Sequence, residues 1–151
     1  MRVDRREADL LRWAIHEPEL VVDWLEPYLF EDPAVRGAFE RVAESRTIHD
    51  AIESSEGQVR ELLERLAVEE AVTDDEPETL RARLMVNAVV PPAQRVRARM
   101  VRADNPRATE LSVLLDALAD SRAAGDWEAV LHNANQLLGW VAVGSRGADA
   151  A

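Results

Sequence analysis

Residues 76–104 read EPETLRARLMVNAVVPPAQRVRARMVRAD, from Glu76 to Asp104, and the fold class turns on this stretch. Leu80 and Leu84 point one way at helical spacing, and Val96 and Met100 continue the stripe. A helix over these residues would extend roughly 40 Å, long for a soluble domain of this size. Pro91-Pro92 stands in its middle. An interior proline removes a backbone donor and clashes with the preceding turn, at a cost of ~3 kcal/mol. The expectation is two helical pieces, Glu76–Val89 and Pro92–Asp104, meeting at a kink.

Working backwards from this arm, residues 3–16 predict a helix with Leu10, Leu11, Ala14 and Ile15 in one wide stripe and Trp13 beside it. Pro18 opens a segment to residue 29 that carries Leu20, Val21, Trp24 and Leu25. Asp32-Pro33 is a cap followed by a first-turn proline. Thr47 with Asp50 resembles a capping box, Gly57 marks a break, and Val59, Leu62, Leu63, Leu66 and Ala67 give the clearest 3.6-residue period. Asp75 with Glu78 again has capping-box spacing.

Beyond the arm, Asn105-Pro106 restarts the chain. Leu111, Leu114, Leu115 and Leu118 form one stripe, and Trp127, Val130, Leu131, Ala134, Leu138 and Val141 another, with Gly125-Asp126 as the turn between them. No segment reads as a strand. The predicted class is all-α: a helical bundle joined by a long kinked helix to a C-terminal helical hairpin. The divisions are a bundle at 1–75, the arm at 76–105, the hairpin at 106–143 and a flexible tail at 144–151.

Composition narrows the function. A hydrophobic share of 47% supports a packed core, and the lack of cysteine excludes disulfides and thiolate metal sites. No apolar run approaches a membrane span, and the charged opening MRVDRREADLL does not resemble a signal peptide, so the expectation is a cytoplasmic protein off the membrane. The net charge of −11 disfavours strong direct nucleic-acid binding. All 18 basic residues are arginine. A local row of them, Arg95, Arg97, Arg99, Arg102 and Arg107, reads first as a solvated face balancing the acidic bundle, since its spacing spreads it around the helix; the alternative is an electrostatic contact with an acidic partner surface or a nucleic-acid backbone. There is no phosphate loop, and His16, His49 and His132 lie far apart, so neither catalysis, cofactor nor metal is expected. The acidic pairs Glu69-Glu70 and Asp74-Asp75 read as solvated helix ends.

The apolar residues that fall off the inner stripes of the hairpin, Val113 and Trp140, suggest a partner surface. Candidate contact residues are Val113, Leu137, Trp140, Arg107 and Arg122.

The segments EADLLRWAIHEPEL, FEDPAVRGAFERV, VRELLERLAVEEA and ETLRARL, in that order, resemble the C-terminal, helicase-binding domain of bacterial DNA primase over about residues 6–125. The resemblance implies a bundle that modulates the hexameric replicative helicase and a hairpin that docks on the helicase N-terminal domains, coupling primer synthesis to unwinding. It implies a monomer in isolation that does no chemistry, since the zinc-binding and polymerase regions of a primase are not among these residues. Pro91-Pro92 and the last helix, DWEAVLHNANQLLGWVAVG, depart from the family pattern. Two alternatives share the layout: the N-terminal oligomerisation domain of a replicative helicase, and a small helical regulatory module.

Overall fold

The computed structural model describes residues 3–150. Among them are seven α-helices and no strand: α1 (Arg5–His16), α2 (Pro33–Glu44), α3 (Ile48–Glu53), α4 (Gly57–Val68), α5 (Pro77–Arg102), α6 (Ala108–Ala123) and α7 (Trp127–Ala150). The all-α class therefore holds. The chain forms two compact units, the first running to Asp74 and the second starting at Asp75.

In the first unit α4 packs against α1, α2 and α3. Its periodic residues Leu62, Leu63 and Leu66 are fully buried, together with Leu11, Phe30, Val35 and Ala38. Phe30 and Phe39 meet as tilted rings with centroids 5.1 Å apart. Trp13 and Trp24 are also core residues. The helix starts follow their caps. Asp32 accepts from the Ala34 N–H with Pro33 in the first turn, and Thr47 accepts from the Asp50 N–H. Asp4 caps α1 through the N–H groups of Arg6 and Glu7. The two caps are cross-tied: Asp32 Oδ2 accepts from Asp4 N–H at 3.1 Å, and Glu7 Oε1 accepts from Asp32 N–H at 3.1 Å. Burial, with Asp4 alongside, pushes the Glu7 carboxyl above its ordinary range. His16, the last residue of α1, donates from Nε2 to the carbonyl of Leu66 at 2.9 Å, pinning the end of α1 to α4. Residues 18–29 do not form the helix expected of them. They form two 3-10 turns, Pro18–Leu20 and Pro27–Leu29, each opened by a proline.

In the second unit α5 lies against both α6 and α7, and α6 lies against α7. Residues 76–104 are therefore one helix of a three-helix unit and not a separate arm. Helix α5 also runs without interruption from Pro77 to Arg102, with Pro91 and Pro92 inside it, where a break was expected. The reason is burial. Between Leu80 and Val96 the buried positions include Leu84, Met85, Val86, Val89, Pro92 and Ala93, a far wider arc than the single stripe seen in the sequence. Packing on two helices holds the backbone helical where local preference would release it. Pro91 and Pro92 deny the carbonyls of Asn87 and Ala88 their i+4 donors, so this is a locally costly segment kept in place by its neighbours.

Helix α5 ends at Arg102. Asn105 N–H reaches the carbonyl of Met100 and Asp104 N–H that of Val101, with Asp104 in the left-handed region at φ 54°. The same pattern closes α6, where Gly125 takes φ 70° and Asp126 N–H reaches the carbonyl of Ser121. Asp126 then caps α7 by accepting from the Ala129 N–H. Asn105 caps a short turn through the Arg107 N–H, so α6 begins two residues later than Pro106 suggested. Asp75 does not cap α5; its carboxylate pairs with Arg83 at 3.1 Å and Glu76 takes the cap position. Helix α7 continues to Ala150, so residues 144–150, expected as a flexible tail, are helical, while residue 151 lies outside the described residues. A Cβ on Gly144 would come within 2.7 Å of Val96 Cγ2, so this glycine sets how closely α7 approaches α5.

Restoring the missing donor should show what the prolines cost. Pro91→Ala is expected to raise stability by about 1–3 kcal/mol in chemical denaturation, since Pro91 is only half buried and alanine is the best helix former. A loss of stability would show that the proline ring is itself required by the packing.

Candidate functional site

The hairpin residues singled out in the sequence fall in three environments. Val113 stands on the exposed side of α6 at 62% exposure. Trp140 is half buried, and the guanidinium of Arg107 sits over its ring, 4.6 Å from the centroid. Arg122 is exposed near the C-terminal end of α6, about 22 Å along the helix from Arg107. Arg122 therefore does not belong to the Arg107–Trp140 pair. Leu137 is a correction: it is fully buried and lies in the core of the second unit. It belongs to the inner face of α7 with Val130, Ala134 and Val141, all buried, and offers no contact to a partner.

The Arg107–Trp140 stack is built from two elements. The turn after α5 places Arg107 just before α6, and Arg107 Nε donates to Glu110 at 3.1 Å. That pairing fixes the guanidinium plane over the ring presented by α7. A second stack has the same form: Arg83 of α5 lies 4.6 Å from the centroid of Trp127, with its Nε held by Asp75. Trp127 is half buried, not a core residue like Trp13 and Trp24. Each α7 tryptophan is thus covered by an arginine from outside α7, Arg83 on α5 and Arg107 in the turn before α6, and each arginine is steered by a carboxylate. Linear spacing gave no sign of either pairing, because the partners come from separate helices. Two further exposed valines, Val101 at 57% and Val143 at 65%, were also missed.

Among the described residues, no group of three His, Asp or Glu side chains could hold a metal ion. The histidines keep separate roles: His16 pins α1, His49 is exposed, and His132 pairs with Gln136 on the surface of α7. Two open clefts in the first unit are lined largely by charged side chains, Glu40, Arg41 and Glu44 in one, Arg5, Arg12 and Glu69 in the other. In the second cleft Arg12 is already paired with Asp9 at 2.6 Å and Glu69 at 3.2 Å. Among the described residues, no helix is long and apolar enough to cross a membrane. Comparison with family models, with curated proteins and with solved structures finds no match to this chain.

The stack is expected to couple Arg107 and Trp140 measurably. A double-mutant cycle with Arg107→Ala and Trp140→Ala should give an interaction energy of about 0.5–1 kcal/mol in denaturation. Additive single effects would mean that the ring and the guanidinium are neighbours without attraction.

Proposed function

We propose that this chain is a non-catalytic docking domain that binds the replicative DNA helicase through the outer side of the α6–α7 hairpin. In this reading it serves as the C-terminal domain of a DNA primase, coupling primer synthesis to unwinding, and the unit before Asp75 acts on helicase activity. The observation that carries the proposal is the order of elements, a helical unit to Asp74 followed by the long α5 and the α6–α7 pair, which is the order that the primase resemblance implies, although α5 packs with that pair as one three-helix unit. Supporting it, the hairpin carries apolar surface that its own core does not use, Val113 on α6 and Val143 on α7. Beside these is the arginine-covered Trp140, a half-accessible aromatic of the kind that dominates interface energetics. Helices α6 and α7 pack on α5, so the hairpin is presented on a three-helix base that limits the ordering cost of binding.

Because the hairpin shares its core with α5, point substitutions are the appropriate probe. Titration of the helicase N-terminal domain from the same cell should show binding by the full chain. Trp140→Ala should weaken it by ~2 kcal/mol, about thirtyfold, and Val113→Asp should weaken it with helical content unchanged. Absence of binding by the unmodified chain would overturn the proposal, as would unchanged affinity in both variants. Self-association of the chain into a hexamer would favour the oligomerisation domain of a helicase instead.

A further inference from the structure

Residues 129–145 contain no Asp, Glu, Lys or Arg, in a chain of which 31% is charged. Burial accounts for a comparable uncharged stretch, residues 84–94 of α5, where Gln94 alone is exposed. It does not account for this one. Helix α7 buries Val130, Ala134, Leu137 and Val141 on one side. On the opposite side His132, Gln136, Gly139 and Val143 fall within an arc of about 60°, with Asn135 at its edge, and all five are exposed. Every other helix carries charged residues on its exposed side.

This face is polar at one end and bare in the middle. Gln136 Nε2 donates to His132 Nε2 at 2.8 Å, so these two side chains answer one another. Asn135 makes no hydrogen bond among the described residues, and its amide can both donate and accept. Gly139 differs from Gly144 on the same helix. Gly144 is required by Val96, whereas a Cβ on Gly139 would meet nothing within 4 Å. Glycine weakens a helix interior relative to alanine, and no neighbour within the chain calls for it at 139. What it does provide is an exposed stretch of backbone that another helix can approach closely. One turn further on, Val143 stands 65% exposed.

We propose that this face of α7 docks against the same face of a second copy of the chain, as a two-fold symmetric, reversible dimer. Charge selects the occupant. Residues before Asp75 carry 19 acids and 9 arginines, a net −10, whereas residues from Asp75 onward carry 10 acids and 9 arginines, a net −1. Two copies therefore repel least when they meet through the second unit, and least of all on its uncharged face. A charged partner finds no counter-charge there. Interface cores are depleted of charged residues, as this face is. A two-fold contact pairs a patch with itself and so demands a self-complementary surface. Amides meet that demand because each carries a donor and an acceptor, and glycines meet it by letting two backbones approach. The face extends about 16 Å from His132 to Val143, short for a standard interface, so the dissociation constant is on the order of 100 µM. The inference does not depend on the helicase reading. Val143 belongs to both surfaces, so a second copy and a helicase compete for it.

The test is sedimentation equilibrium of the full chain from about 10 µM to about 1 mM. A monomer–dimer equilibrium is expected with no larger species, because a two-fold contact closes on itself. Raising salt from about 20 mM to about 500 mM should leave the dimer unchanged or tighten it, since salt screens the repulsion between two acidic chains. Gly139→Glu sets two like charges near one another across the contact and should weaken dimerisation about tenfold or more. Helical content should be unchanged, because the added side chain meets open space. The matched control, Gln58→Glu, exposed on α4, makes the same change in net charge and should have a much smaller effect. A monomer throughout the range, or equal losses in the two variants, would overturn the proposal. Dissociation of the dimer by salt would overturn it in favour of a contact between the acidic first unit and the arginines of the second. Species that keep growing with concentration would overturn the closed two-fold contact.

Discussion

The second unit depends on α5 remaining helical through Pro91-Pro92. Two adjacent prolines in a helix interior remove two hydrogen bonds and crowd the preceding turn, a penalty that an isolated segment would relieve by breaking. Here α5 packs against α6 and α7, and Val89, Pro92 and Ala93 on either side of the break point are buried. Opening the helix at that point would separate the apolar residues before the prolines from those after them. The packing of a central helix on two neighbours thus outweighs its own local preference. Much else in the unit follows from this continuity. It carries Arg99 and Arg102 beyond the prolines in phase with Leu84 and Ala88 before them. It also brings Val96 against Gly144, so that α7 lies close along α5.

The local starts and stops were legible because each has a chemical cause within a few residues. Asp32-Pro33, Thr47, Gly57 and Gly125-Asp126 all mark helix boundaries. The stripe of α4 was legible because one face is buried and the other solvated. What failed were inferences that depend on distant parts of the chain. The region 18–29 has helix-like apolar spacing, but Pro27 limits it to short turns packed into the core. The arm was inferred from one stripe on α5, whereas the wider buried arc meets two helices that come later in sequence. Leu137 sits just off the centre of the α7 stripe and was taken for an outer residue. The three-helix packing widens the buried side of α7 enough to enclose it. The arginine–tryptophan stacks could not be seen at all, since Arg83 and Trp127, like Arg107 and Trp140, are brought together only by the fold.

The chain's polar side chains are occupied in caps, helix pins and ion pairs, as with His16 on Leu66 and Arg12 between Asp9 and Glu69. Ion pairs of this exposed kind contribute little to stability individually. Apolar side chains left outside the cores occur in both units, Val22, Val68 and Val72 in the first and Val101, Val113 and Val143 in the second, which also carries the arginine-covered tryptophans.

The account rests most directly on α5, α6 and α7 forming a single cooperative body. Native-state hydrogen exchange of the full chain measures this, because amides that open together share one opening free energy. The account predicts a common value for the buried turns of α5 between Leu80 and Val96, for α6 around Leu111–Leu118 and for α7 around Val130–Val141. A lower value shared by α6 and α7, with α5 still protected, would contradict it and restore the picture of a hairpin carried on a separate arm.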